Sequence, residues 1–195
     1  MKKILITGAN GFIGMRIAKE LSKNHSIDVY CRKLKKDDPD FVIDNNLKKN
    51  IISTPFKEIN YDYVINCIAC TETHSTKWKD LYDANCQTTI SLVKNLKFKN
   101  FIQFSSFSIF SKNSISQGLA DPQNFYGLSK LVSEKFLEIN SNQNNNHIVL
   151  RMPIVIGRTK KQDDLISYLF KSLINNETID LFNEGKYQRN IIHVD

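Results

Sequence analysis

No apolar run in this 195-residue chain is long enough to cross a bilayer as a helix. A secretory leader is not expected at this N-terminus either. After Lys2 and Lys3 the apolar residues Ile4, Leu5 and Ile6 break at once into Thr7, Gly8, Ala9 and Asn10, too short for the core of a signal peptide. Cysteine is sparse: Cys31, Cys67, Cys70 and Cys86 all lie in or beside apolar segments and read as reduced, buried thiols of a cytoplasmic protein. Cys67, Cys70 and His74 imitate a metal-ligand spacing, but Cys67 belongs to an apolar strand-like run and no fourth ligand accompanies them, so no metal is expected. Lysine and arginine outnumber the acids by 27 to 20, for a net charge of +7, yet the excess is scattered and its one dense run is "RKLKK" at 32–36. With no basic stripe interleaved with aromatics, that surface reads as solvated lysine, open to an anionic small molecule, and nucleic acid is not expected. No internal repeat appears. The Asn-rich stretch 140–146 is a connecting loop, because a strand-like run follows directly.

What is present is alternation. At 41% hydrophobic and 24% charged residues the chain can bury the core of one globular domain. Apolar strand-like runs stand at 3–7, 27–31, 41–43, 63–69, 100–106 and 147–152. Helical patterns separate them at 12–21, 77–96 and 125–139. Continuous apolar strands joined by helices predict an α/β fold, a doubly wound parallel sheet covered on both faces. From 163 the pattern changes: a helix at 165–174 precedes short strands around a turn at 183–186. The division expected is 1–160 as a nucleotide-binding domain and 161–195 as the start of a smaller substrate lobe.

"KILITGANGFIG" places Gly8, Gly11 and Gly14 between the first strand and the first helix. A dinucleotide site needs the first glycine for the tight turn and the second for backbone approach to a pyrophosphate. The third lets the helix pack closely on the strand. The helix N-terminus, opening at Phe12 and Ile13, then offers amides and a positive dipole end to the phosphates. About twenty residues on, where a carboxylate would grip the adenosine ribose of NAD, stand Cys31, Arg32 and Lys33. Two cations and no carboxylate favour NADP, with NAD as the alternative; Arg32 also reads as a plain surface cation.

Tyr126 and Lys130 share one face of the helix at 125–139, a spacing equally suited to an ordinary helix surface. Their setting decides. "TGANGFIG" (7–14), Asp44, "INCIA" (65–69), Asn85, "FSSFSIFS" (104–111), "YGLSK" (126–130), "LRMPIVIG" (150–157) and "GKYQRNIIHVD" (185–195) follow one another in the order of one family. Together they resemble the extended short-chain dehydrogenase/reductases, the nucleotide-sugar epimerases, dehydratases and reductases.

The resemblance implies a Rossmann-type fold and a Ser-Tyr-Lys site. Tyr126 would exchange the hydroxyl proton, and Lys130 would favour the phenolate and bind the cofactor ribose. Ser106 would hold the reacting oxygen, with Ser105 as the competing choice. Asn85 would support the geometry, with a helix-surface role as its alternative. Asp44, Ala69 and Pro153 would line the cofactor. Arg189 would pair the diphosphate of a nucleotide-diphosphate sugar, or stand as a surface cation. Glu134, four after Lys130, reads as a helix ion-pair partner. Phe107 and Ser108 follow Ser106 where a sugar dehydratase needs an acid and a base, so a 4-ketoreductase or 4-epimerase is expected. The alternatives are a nicotinamide-binding regulatory module without turnover, and a fragment of a longer enzyme, since the family's sequence continues beyond "HVD". A homodimer is compatible with the family.

Overall fold

The computed structural model describes residues 1–30, 59–141, 145–157, 165–180, 185–186 and 190–195. Arg32, Lys33, Asp44, Arg189 and the run 41–43 lie outside the described residues. Among the described residues, five strands form one parallel sheet: β1 (Lys3–Thr7), β2 (Ser26–Tyr30), β3 (Asn60–Asn66), β4 (Lys97–Ser106) and β5 (Asn146–Met152). Their order is β2-β1-β3-β4-β5. The chain runs outward from β1 to β2, then returns to the other side of β1 and continues through β3. The carboxyl ends of β1 and β3 therefore flank the point where the winding reverses, the place where open α/β sheets leave a crevice for a ligand.

Alternation of side chains along the strands gives two cores. Ile4, Ile6, Ile27, Val29 and Ile65 face helix α1 (Phe12–Leu21) with its buried Ala18. Leu5, Val64, Phe98 and Phe101 point the other way, toward Leu92 of α3 (Thr88–Asn95) and Leu137 of α4 (Phe125–Ile139). Burying each such aliphatic or aromatic side chain contributes about 1.5–3 kcal/mol, so both faces of the sheet are held by burial.

The helix expected at 77–96 is interrupted. α2 (Trp78–Tyr82) passes into one π-helical turn, Asp83–Gln87, before α3 begins. α4 keeps the bounds read from the sequence. Asn124 caps it by accepting from the Gly127 N–H at 2.7 Å, and Gly127, Lys130, Glu134 and Leu137 make its buried face.

The chain divides into two compact units, Met1–Met152 and Pro153–Asp195. In the second, β6 (Ile154–Ile156) pairs with β7 (Ile191–His193), and α5 (Leu165–Ile174) lies between them in sequence. β6 and β7 pair in parallel, which needs a long crossover, and the residues between them supply the chain length for it.

Candidate active site

The loop after β1 is shaped by close backbone approach. Gly8 has a φ of +68°, and a Cβ there would lie 2.9 Å from the Cys67 carbonyl carbon. A Cβ on Gly14 would lie 2.3 Å from the Gly8 oxygen, so α1 packs against the loop only because that position is glycine. Gly11 is the N-cap of α1 and supplies no side-chain cap, which leaves the first turn's amides facing the loop. Phe12 and Ile13 open that turn, and the Arg16 guanidinium folds back over the Phe12 ring at 4.7 Å. This cradle, with a helix N-terminus at a topological switch point, fits a dinucleotide pyrophosphate. Ala69 is exposed beyond the end of β3, and Pro153 stands between β5 and β6.

Ser106 ends β4, where its hydroxyl accepts from the Ser108 N–H at 3.1 Å and caps the short helical turn Phe107–Ile109. The same hydroxyl donates to Ser108 Oγ at 3.1 Å, and Tyr126, in the first turn of α4, lies near enough for Ser106 to lower its pKa. Ser105 points to the opposite side of the strand, where its Oγ is buried without a partner. Ser106, not Ser105, thus lies on the Tyr126 side of the strand. What brings α4 so close is Gly127. A Cβ there would lie 2.0 Å from the Ser108 carbonyl oxygen, so any other residue would push Tyr126 away from Ser106. The motif "YGLSK" carried this signal, and only its tyrosine and lysine were singled out.

Lys130 lies one turn on, fully buried, with Nζ donating to the carbonyl of Phe104. Burial lowers its pKa to about 8, while Cys86, Glu134 and Cys67 act in the opposite sense. Burial also raises the Tyr126 pKa; the nearby Ser106 lowers it, and Glu72 and Cys70 raise it further. The phenolate-favouring effect expected of Lys130 is therefore not what governs the phenol in the protein alone. Desolvation governs it.

Asn85 sits in the π-helical turn, completely buried. Its Oδ1 accepts from the Cys70 N–H at 2.8 Å, and its Nδ2 donates to the Cys70 carbonyl at 2.9 Å and to Ser129 Oγ at 2.8 Å. Ser129 in turn donates to the Tyr126 carbonyl at 2.8 Å. One amide thus ties the loop after β3 to the turn that carries Tyr126, which excludes the helix-surface role. Single π turns occur often at such functional positions. Glu134 also departs from expectation. Its ion pair is with Arg151 of β5, Nη2 to Oε2 at 2.9 Å, rather than with Lys130, because α4 presents it to the sheet edge.

A family model described as the NAD dependent epimerase/dehydratase family matches residues 4–195. A dTDP-D-glucose 4,6-dehydratase of Dictyostelium discoideum is 26% identical over 237 residues, an alignment covering 100% of this chain and 53% of that protein. Two solved structures share the fold. The UDP-N-acetylglucosamine 4-epimerase of Methanobrevibacter ruminantium matches with a TM-score of 0.79 and 20% identity, over 99% of this chain and 69% of that one. A UDP-glucuronic acid 4-epimerase mutant of Bacillus cereus, in complex with NAD, matches with a TM-score of 0.75 and 23% identity, over 98% and 69%. The chain spans about half the length of the dehydratase it resembles. With the family matched along almost its whole length, this chain belongs to the NAD-dependent epimerase/dehydratase family.

Proposed function

We propose that the chain carries the cofactor half and the Ser106-Tyr126-Lys130 site of an NAD(P)-dependent oxidoreductase acting on a nucleotide-diphosphate sugar, as a 4-ketoreductase or 4-epimerase. The observation that carries this reading is that β4 ends at Ser106 beside the first turn of α4, which carries Tyr126 and packs through Gly127 on the Ser108 carbonyl, with Lys130 buried one turn away. When bound, a nicotinamide supplies the hydride acceptor or donor. The chain's own part is proton handling and orientation. Ser106 holds the sugar oxygen against the Tyr126 oxygen, which takes or returns the hydroxyl proton. Lys130 binds the nicotinamide ribose and, by its charge, counters the desolvation that keeps the phenol protonated. Asn85 keeps the tyrosine's turn in register through Ser129.

Phe107 and Ser108 directly follow Ser106, and neither can add or remove the second proton that a dehydration requires. Chemistry at one carbon suits the site better. Arg32 and Lys33 support NADP over NAD, although the family is NAD-dependent and the Bacillus cereus relative holds NAD. Arg189 is assigned to the sugar's diphosphate, where a planar guanidinium pairs two oxygens. The testing experiment is turnover of UDP-, GDP- and dTDP-sugars by the wild type and Tyr126→Phe. Loss of about 10²–10⁴-fold in rate with cofactor affinity retained is expected. Near wild-type turnover by Tyr126→Phe rejects the assignment.

A further inference from the structure

Thr7, Asn66, Gln103 and Thr89 form a buried polar cluster under the carboxyl ends of β1, β3 and β4 and the start of α3. Its orientation is fixed by one backbone donor. The Ile68 N–H, which can only donate, bonds Asn66 Oδ1 at 3.2 Å, and Thr7 Oγ1 donates to the same oxygen at 2.6 Å. Asn66 Nδ2 must then face Gln103, so Gln103 presents Oε1 to it at 2.9 Å, with Thr89 Oγ1 at 3.1 Å from the same atom. That leaves Gln103 Nε2 to donate to the Phe104 carbonyl at 3.1 Å. This carbonyl is also the acceptor for Lys130 Nζ.

We propose that Gln103 is a positioning residue for Lys130, sharing the Phe104 carbonyl with it and so directing the ammonium toward the cofactor. The proposal rests on the reading of Lys130 as a cofactor ligand. A carbonyl oxygen has two lone pairs. With the Gln103 amide on one, the ammonium is confined to the other, and a side chain rich in rotamers is held in one place. A shared acceptor also bonds each donor less strongly. The groups facing Lys130 are Cys67 from the end of β3, Cys86 from the π turn and Glu134 from its own helix. The thiols are kept neutral by burial, Cys67 raised to about 12 and Cys86 to about 11. Glu134, already paired with Arg151, and the shared carbonyl are then the groups left to stabilise the ammonium.

The test is NADH and NADPH affinity as a function of pH, measured by calorimetry on the full chain. The wild type should bind less tightly as Lys130 loses its proton, with a midpoint near 8. Lys130→Met should flatten that dependence. Gln103→Met, close in volume but without either hydrogen bond, leaves the carbonyl to the ammonium alone. It should weaken binding at neutral pH and raise the midpoint by about half a pH unit or more. Tyr61→Phe removes a buried hydrogen bond to Asp28 elsewhere in the same unit and should leave the midpoint in place. If Gln103→Met does not fold, Thr89→Val removes the hydroxyl whose proton Gln103 Oε1 shares with the Asn85 carbonyl and should shift the midpoint the same way by less. An unshifted midpoint overturns the proposal, as does an equal shift in Tyr61→Phe. A pH dependence that survives in Lys130→Met instead rejects Lys130 as cofactor ligand, and the proposal with it.

Discussion

Leu5, Ile6, Val64, Phe101 and Leu137, all in Met1–Met152, are fully buried, whereas Phe170, Leu173 and Ile174 on α5 of Pro153–Asp195 are 63%, 64% and 77% exposed. The first unit has a core on each face of its sheet, and every described site residue except Pro153 is fixed by elements of that unit. Among its described residues the second has a three-residue strand pair and one helix, on which Tyr168, Phe170, Leu173 and Ile174 are exposed. The contrast teaches where rigidity has been placed. The proton transfer proposed for Ser106, Tyr126 and Lys130 needs them held within tenths of an ångström, and only a packed unit does that. The sugar contact proposed for Arg189 belongs by sequence to Pro153–Asp195.

Equivalent truncations in the two units should sharpen the contrast most. Leu137→Ala in the first core is expected to cost about 2–5 kcal/mol of unfolding free energy. Ile174→Ala should stay within about 0.5 kcal/mol, as exposed positions do. Denaturant melts of both variants give the answer, and equal losses would erase the distinction between the units.

Within the first unit, function and stability should pull apart at Lys130. A lysine held at about 8, below its ordinary value of 10.5, binds its proton more weakly when folded. The buried ammonium therefore costs stability in full below pH 8, and the cost fades as pH rises toward 10.5. Lys130→Met should weaken cofactor binding yet raise unfolding free energy at neutral pH by about 1–3 kcal/mol, a gain that shrinks in alkali. A destabilised Lys130→Met would mean that the ammonium is better compensated than its surroundings indicate. At the smaller end, Arg32→Ala should remove most of any preference for NADPH over NADH, about 1–3 kcal/mol for a charge-assisted contact. Equal affinities in the unmodified protein would favour an epimerase that retains NAD.

The elements that were legible were those with a period. α4 and α5 carry the bounds expected from spacing alone, and the glycine loop announced itself because backbone crowding at Gly8 and Gly14 admits little else. The π turn at Asp83–Gln87 was not legible, since one extra residue in a helical turn leaves the apolar pattern of Leu81, Cys86 and Leu92 nearly intact. Nor was the Gln103 cluster. A glutamine in a strand reads as a polar interruption until Asn66 and Thr89, distant in sequence, supply its partners. Glu134 shows the same limit: its nearest cation along the helix was Lys130, but the sheet offered Arg151. In each case the missing information was tertiary.

The most direct test of the account is calorimetric titration of NADH and NADPH into the 195-residue chain, its Gly8→Ala variant and its Tyr126→Phe variant. Gly8→Ala forces a Cβ into the Cys67 backbone at a φ that disfavours it, whereas Tyr126→Phe removes one hydroxyl from an intact cradle. The account predicts saturable binding by the wild type, loss of that binding in Gly8→Ala, and its retention in Tyr126→Phe. Binding that survives Gly8→Ala unchanged, or a wild type that binds neither nucleotide, would contradict it.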